Sequence, residues 1–402
     1  MTGPATTVPA KTVGVVGGGQ LARMMQPAAI ALGLRLRLLA EEPGMSAAQV
    51  IADTVVGDYT DAATLTRFAR GVDVLTFDHE HVPTALLRDL VDAGRVVRPG
   101  PQALVYAQDK AEMRRRLTGI GAPCPAWRLC DTAADLAAFG EEHGWPLIAK
   151  TSRGGYDGHG VWKLTAPDQA GVPFHTPPEV SAGEPVHILA EEFVDFSREL
   201  SVLAVRGVDG ATVVYPVSQT IQDHGICVET ITPAPGLDAR DQQRIHQLAA
   251  DLASELDVVG VLAIELMQRA DGSAVVTELA MRPHNTGHWS IDGAVTSQFE
   301  NHLRAVAGLP LGETTMRQPW CVMRNVLGGS RLDLVAGLPG VLEDPGVRVQ
   351  LYGKDVRPGR KVAHVTVCGS DLEEVGSRAR AAAARLTGVM PASGVTIPEE
   401  SD

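Results

Sequence analysis

Residues 258–288, VVGVLAIELMQRADGSAVVTELAMRPHNTGH, constrain the fold more tightly than any other stretch of the chain. Gly260–Gln268 and Ala274–Met281 alternate apolar with small or polar residues, and Asp271-Gly272 between them is a turn signal. The stretch therefore predicts a β-hairpin. An even, symmetric loop about Asp271-Gly272 puts Glu265 directly opposite Glu278 on one face, with Cβ atoms roughly 5 Å apart. Like charges directly opposite are unfavourable unless something cationic lies between them. Two carboxylates completed by phosphate oxygens and water are the usual surroundings of Mg²⁺, which is seldom caged by protein alone. An odd loop would remove the register. The bland alternative is a solvated acidic face or two separately salt-bridged glutamates.

The chain before the hairpin alternates strand and helix. Thr12–Val16 is apolar, Gly17-Gly18-Gly19 follows, and LARMMQPAAIAL reads as a helix. Strands at Leu34–Ala40, Asp53–Val56, Val72–Thr76 and Val96–Arg98 are separated by turns or helical segments, which predicts an open parallel α/β domain. Gly17-x-Gly19-x-x-Ala22 fits a dinucleotide fingerprint, with Glu41 or Glu42 where a ribose-binding acid would lie. Helix N-termini attract any phosphate, so this unit predicts only a phosphate or nucleotide near Gly17–Gly19. Asp78-His79-Glu80-His81 follow the strand ending at Thr76, at the end of a parallel strand where ligands sit. Hydrogen bonding to a polar substrate is the expected role. Metal binding by His79 and His81 would require an extended segment.

Leu147–Lys150 reads as a buried strand ending in a lysine, and TSRGGYDGHG follows it. Free backbone N–H groups without Cβ atoms to obstruct them make a phosphate cradle. The loop lacks the GK[ST] ending of a P-loop. Glu191-Glu192 close another strand and suit the hydroxyls of a nucleoside. Near the C-terminus, YGKDVRPGRKV gathers four cations in eight residues, a local field suited to phosphate.

The whole chain has a formal charge of −13, which argues against non-specific nucleic-acid binding. Its length of 402 residues predicts two or three domains. The five cysteines are scattered without a CxxC pair and read as reduced packing thiols of a cytoplasmic protein. There is no run of about 18 apolar residues, hence no membrane span. MTGPATTVPAK reads as a short tail without the apolar core of a signal peptide.

GGGQLARMM, TFDHEHVP, AKTSRGGYDGHG, ELAMRPHNTGHW and YGKDVRPGRKVAH, in that order, resemble the ATP-grasp ligases. More narrowly they look like the N5-carboxyaminoimidazole ribonucleotide synthase family, from about Thr12 to Leu386. The resemblance implies an α/β and α+β chain in three parts. These are an N-terminal Rossmann-like parallel-sheet domain (1–107), an ATP-grasp domain of two α+β lobes (108–308) and a small C-terminal mainly β domain (309–402). It implies ATP-dependent carboxylation of 5-aminoimidazole ribonucleotide by bicarbonate in purine (IMP) biosynthesis, with ADP and phosphate released.

By the same resemblance, Lys110 and Lys150 contact the ATP phosphates, beneath a mobile loop of Gly155, Tyr156, Asp157, Gly158, His159, Gly160 and Val161. Glu191, Glu192, Phe193, Val194 and Glu199 hold adenine and ribose, with Gln222 and Thr277 beside the nucleotide. Glu265 and Glu278 bind Mg²⁺, for which Mn²⁺ can substitute. Arg282, His284 and Asn285 match the bicarbonate and acceptor site, with Tyr156 and Asp157 on the loop. Lys354, Arg360 and Lys361 approach the acceptor from the C-terminal domain, and Gly19, Gln20 and Glu80 from the first. Gln222, His159, Thr277 and Met281 stand where the family often has His, Arg or Lys, Asn and Pro. A homodimer is the assembly the resemblance implies.

The implied mechanism runs through carboxyphosphate, which water destroys, so the glycine loop should close over it. His284, Asp157 and the released phosphate are the candidates for the base. Three rival readings share parts of the pattern. They are an NAD(P)-dependent oxidoreductase, a formate-dependent ribonucleotide transformylase of the same architecture, and a non-catalytic nucleotide-binding regulator.

Overall fold

The computed structural model describes residues 11–154, 160–175 and 187–388. Three sheets carry the chain. In the first, Thr12–Val16 lies between Arg35–Ala40 and Val74–Phe77, with Asp53–Val56 at the edge, all parallel. Val13 and Val15 pack with Leu21, Met24 and Met25 of the Gln20–Leu32 helix, while Val16 packs with Leu65 and Phe68 of the Ala62–Ala69 helix. Cover on both faces explains why the strand is apolar without alternation. The expected strand at Val96–Arg98 is reduced to a single parallel bridge between Leu75 and Val97.

The second sheet is the largest. Its order among the described residues is Ala274–Ala280, Gly260–Gln268, Arg198–Arg206, Ser218–Asp223, Ile226–Thr232, Trp320–Leu327, Lys361–Gly369 and Val347–Leu351. The C-terminal strands, expected as a small mainly β domain, pair antiparallel and extend this sheet through the pairing of Ile226–Thr232 with Trp320–Leu327. The third sheet is antiparallel, in the order Trp127–Cys130, Ile188–Glu192, Leu147–Thr151, Val161–Leu164. It brings Lys150 and Glu191 onto adjacent strands.

Two helices fix the sheets to one another. Lys110–Gly119 starts at Asp109, whose carboxylate accepts from Ala111 and Glu112 N–H groups otherwise left without partners at a helix start. Gln298–Ala307 starts at Ser297 and ends at Gly308 in the left-handed conformation, the turn that glycine adopts without strain. This second helix docks the first domain. His302 Nε2 bonds Thr76 Oγ1 at 2.8 Å, and Arg98 Nη1 donates to Val306 O at 2.6 Å. The cysteines are less scattered in space than in sequence. Cys321 and Cys368 face each other across two strands, Sγ to Sγ at 2.8 Å.

Candidate active site

The hairpin forms, and Glu265 does stand opposite Glu278, but by a different route from the symmetric loop. The loop runs from Arg269 to Ser273, whose backbones bond at 2.8 Å, so it is odd and centred on Asp271. Leu266 pairs with Val276 and Met267 with Val275, a register that on its own would carry Glu278 past Glu265. A β-bulge corrects it. Thr277 is the extra residue, and beyond it Glu265 pairs with Glu278 and Ile264 with Leu279. Burial raises the Glu265 carboxyl pKa, and Glu278 and then Glu199 raise it further. A buried carboxyl with two further carboxylates in its surroundings suits a divalent cation. Among the described residues no three His, Cys, Asp or Glu side chains cluster closely enough to cage a metal. The residues therefore fit an ion held by two glutamates, with the remaining ligands from substrate and water.

The lysines sit beside this pair. Lys150 Nζ meets Glu191 Oε2 at 2.7 Å, and Lys110 Nζ donates to Gly154 O at 3.0 Å. Burial depresses the Lys110 pKa and Lys150 depresses it further, while Glu278 opposes both. Gly160 holds the far end of the glycine loop, its carbonyl accepting from Thr151 N–H at 2.9 Å, and Val161 pairs with Lys150. Gly155, Tyr156, Asp157, Gly158 and His159 lie outside the described residues.

Two of the expected nucleoside carboxylates are already engaged. Burial alone would raise the Glu191 pKa, but Lys150 and Arg114 hold it at about 2. Glu192 is paired with Arg269 at 3.0 Å. Both carboxylates are thus ion-paired, while Glu199, the other acid expected at the nucleoside, meets Gln222. Burial raises the Glu199 pKa, and a hydrogen bond with Gln222 opposes the rise. Lys163 Nζ lies 4.2 Å from the Phe193 ring centroid, and Val194 is buried.

The loop after the hairpin is tied to the first domain. Glu80 accepts from Met281 N–H at 3.0 Å and from Arg282 Nε at 2.8 Å. His284 donates its N–H to Gln298 Oε1 at 2.8 Å. Its Nδ1 is taken by Thr286, from the hydroxyl at 2.9 Å and the N–H at 3.5 Å. The other ring nitrogen, Nε2, lies 3.9 Å from Glu265 Oε1. Burial, then Arg282 and Lys361, pushes the His284 pKa down to about 3. Asn285 buries both amide atoms with no partner among the described residues. It offers one donor side and one acceptor side.

The C-terminal residues reach the same side chains and the first domain. Lys354 bonds Gln20, and Gly353 O accepts from Gln49 Nε2 at 2.7 Å. Arg360 donates to Asp355 O at 3.3 Å, and Lys361 lies close enough to act on both Glu265 and His284.

The glycine turn of the first domain is not a dinucleotide cradle. Asp78 accepts from Ala22 N–H at 2.7 Å and Glu41 accepts from Gly18 N–H at 3.0 Å, so protein carboxylates already occupy the donors that a pyrophosphate would need. A Cβ at Gly19 would collide with Asp78 Oδ2, which explains the glycine. The oxidoreductase reading fails on this. Among the described residues His79 and His81 belong to no group of three candidate metal ligands. The rings stack 5.1 Å apart and His79 Nδ1 accepts from His81 N–H at 3.1 Å.

Two residues of this architecture had no local signal. Asp78 was one of four ionisable residues in a row, with nothing to single out its contact with Ala22. Arg114 opens a run of three arginines in a helix and is the one that is fully buried.

Three family models match in chain order. They are the ribonucleotide synthetase preATP-grasp domain over residues 10–108, the ATP-grasp domain over 115–299, and the phosphoribosylaminoimidazole carboxylase C-terminal domain over 321–378. The N5-carboxyaminoimidazole ribonucleotide synthase of Mycobacterium tuberculosis is 48% identical over 382 residues, covering 94% of this chain and 88% of that protein. The solved N5-carboxyaminoimidazole ribonucleotide synthetase of Thermus thermophilus superposes with a TM-score of 0.83 at 36% identity, over 95% of this chain and all of the other (100%). The Aspergillus clavatus N5-carboxyaminoimidazole synthase, solved with ADP and 5-aminoimidazole ribonucleotide, gives 0.85 at 28% identity, over 95% and 100%.

Proposed function

The chain belongs to the N5-carboxyaminoimidazole ribonucleotide synthase family of ATP-grasp ligases, and on that premise we propose how its residues divide the work. It is an ATP-dependent carbon–nitrogen ligase of purine biosynthesis. Its substrates are ATP, bicarbonate and 5-aminoimidazole ribonucleotide, a reading supported for the nucleotide and the acceptor by the A. clavatus structure with ADP and 5-aminoimidazole ribonucleotide. The observation that carries the residue roles is one convergence. Glu278 stands opposite Glu265 and within electrostatic reach of both Lys110 and the Glu80-held Arg282, and Lys110 is in turn within reach of Lys150.

A bicarbonate oxygen attacks the γ-phosphorus of ATP, and the bond to the ADP oxygen breaks, giving carboxyphosphate. Such transfers need positioning and charge neutralisation more than covalent help. Lys110 and Lys150 hold the phosphates, and Glu265 and Glu278 hold Mg²⁺ or Mn²⁺. When bound, that ion neutralises charge developing on the phosphate oxygens. Main chain from Glu191 to Val194 meets the adenine edge, and Glu199 with Gln222 meets the ribose.

Arg282 grips the carboxyl group. Asn285 and His284 orient it. The acceptor amine then attacks the carboxyl carbon, and phosphate leaves. The amine proton goes to His284, to Asp157 or to the released phosphate. Lys354, Arg360 and Lys361, with Gly19 and Gln20, hold the ribonucleotide phosphate. Residues 155–161, with Tyr156 and Asp157, cover the intermediate.

We divide the chain at residues 107 and 308 into pre-ATP-grasp, ATP-grasp and C-terminal domains. No helix among the described residues is long and apolar enough to cross a membrane. A cytoplasmic homodimer follows from the family reading, and sedimentation would test the assembly.

The deciding experiment is phosphate release from Mg-ATP, with and without 5-aminoimidazole ribonucleotide, in bicarbonate-supplied and bicarbonate-depleted buffer. Release is expected to need both. Release indifferent to the ribonucleotide, or restored by formate in place of bicarbonate, would overturn the acceptor chemistry.

A further inference from the structure

We propose that Arg114 is a positioning residue that sets Lys150 and the Glu265–Glu278 pair relative to each other. The proposal rests on the phosphate and metal roles given to those three residues above. Arg114 lies on the Lys110–Gly119 helix, fully buried. Its Nε donates to Glu191 Oε1 at 2.6 Å, and the other Glu191 oxygen meets Lys150 Nζ at 2.7 Å. Its Nη1 donates to Val276 O and its Nη2 to Thr277 O, both at 2.9 Å. One guanidinium thus grips the third sheet through Glu191 and the hairpin of the second sheet through two carbonyls.

Those two carbonyls mark the bulge. In a regular strand successive carbonyls point to opposite sides, so two neighbours cannot serve one guanidinium. Here they do, because Thr277 is the extra residue, and Val276 N–H also points outward, to Pro123 O at 2.8 Å. The planar fork of Arg114 matches that doubled edge and holds it. The bulge is what returns Glu278 to its place opposite Glu265. The same side chain that orients the lysine therefore orients the carboxylates, and it does so without touching either substrate.

A buried cation is weak evidence for stability, since well-packed apolar residues of similar volume often replace such groups at no cost. The hydrogen-bond partners of Arg114 lie one and two residues before Glu278 or are the ion-pair partner of Lys150. Lysine cannot reproduce the fork, because its ammonium is a single point on a flexible stem.

The test uses the full-length enzyme and its Arg114→Lys, Glu191→Gln and Glu278→Gln variants. Initial rates of phosphate release are measured against ATP and, at saturating ATP, against Mg²⁺, with thermal melting of each variant. Arg114→Lys is expected to melt cooperatively and to raise both the KM for ATP and the Mg²⁺ concentration for half-activation by roughly tenfold, since a misplacement of about 1 Å costs about 10²-fold in rate. Glu191→Gln is expected to raise the KM for ATP alone, because Arg114 still holds the bulge. The two substitutions together should raise the KM for ATP no further than Arg114→Lys does.

An Arg114→Lys enzyme with parental ATP and Mg²⁺ dependence overturns the proposal, whatever its melting temperature. If that variant gives no cooperative melt, Glu191→Gln decides. A raised KM for ATP with unchanged Mg²⁺ dependence supports the proposal, and any other outcome overturns it. Normal ATP turnover by Glu278→Gln would instead sink the metal assignment beneath it.

Discussion

Glu80 holds Arg282 from across a domain boundary, its Oε2 accepting the guanidinium Nε–H at 2.8 Å. The other oxygen accepts from Met281 N–H at 3.0 Å, so the carboxylate fixes both the side chain and the backbone that bears it. Glu80→Gln keeps the shape and removes the charge that aims Arg282. Its kcat/KM for 5-aminoimidazole ribonucleotide should fall by about 10²-fold, on the order of 2.7 kcal/mol, the loss typical of one preorganised group in an active site. The KM for ATP should not move. Steady-state kinetics on both substrates check this, and unchanged acceptor kinetics would mean that Arg282 does not depend on Glu80.

Glu265 and Glu278 should account for the divalent-ion requirement together. Glu278→Gln should abolish ATP turnover. Saturating Mg²⁺ with a nucleotide analogue should stabilise the parent by about 2.7 kcal/mol at a hundredfold excess over Kd. Chelation with EDTA should remove that gain, and the variant should show none of it. Calorimetric melting with and without EDTA reads the difference directly.

Acid should unfold the protein through its buried imidazoles. His302 is held neutral between Val261 N–H at 3.1 Å and Thr76 Oγ1 at 2.8 Å, and burial pushes its pKa to about 3. His364, bonded to the Tyr352 hydroxyl at 2.8 Å, is likewise pushed to about 3 by burial. In the unfolded chain both take up a proton near pH 6.5. The unfolded state thus binds more protons below that pH, and the stability present above it is lost as the pH falls toward 3. Urea midpoints should drop steadily from pH 7.5 to 5.5, with a slope of up to about 2.7 kcal/mol per pH unit from these two groups. A midpoint that does not change over this range would refute neutral burial of these rings.

Gly19→Ala should cost both stability and acceptor binding. The added Cβ meets Asp78 Oδ2, the carboxylate whose other oxygen caps Ala22 N–H at 2.7 Å. Overpacking of this kind typically costs about 1–3 kcal/mol. Gly33→Ala, where a Cβ meets nothing within 4 Å but the backbone is left-handed, gives a control for strain alone. If Gly19→Ala melts like the parent and binds the ribonucleotide normally, the Asp78 contact is not what requires glycine.

The strand–helix alternation of the first domain, the lysine ahead of the glycine loop and the hairpin with its two glutamates were all legible in the sequence. Each is written in residues that are neighbours in the chain, and strand period, turn chemistry and glycine content act over that range. The pairing of Glu265 with Glu278 was legible in outcome and not in cause. The loop is odd, and the register returns only through the bulge at Thr277, whose carbonyl meets Arg114 from 163 positions away. Glu191 reads as a nucleoside ligand in the sequence and folds into an ion pair with Lys150 and Arg114. Asp78 filling the glycine turn, and Glu80 on Arg282, are likewise contacts between distant segments. Local patterning determined which elements form and which residues carry charge. Which charges neutralise one another depended on how three sheets pack, because an ion pair forms wherever tertiary structure brings its partners together and leaves no fixed spacing in the chain.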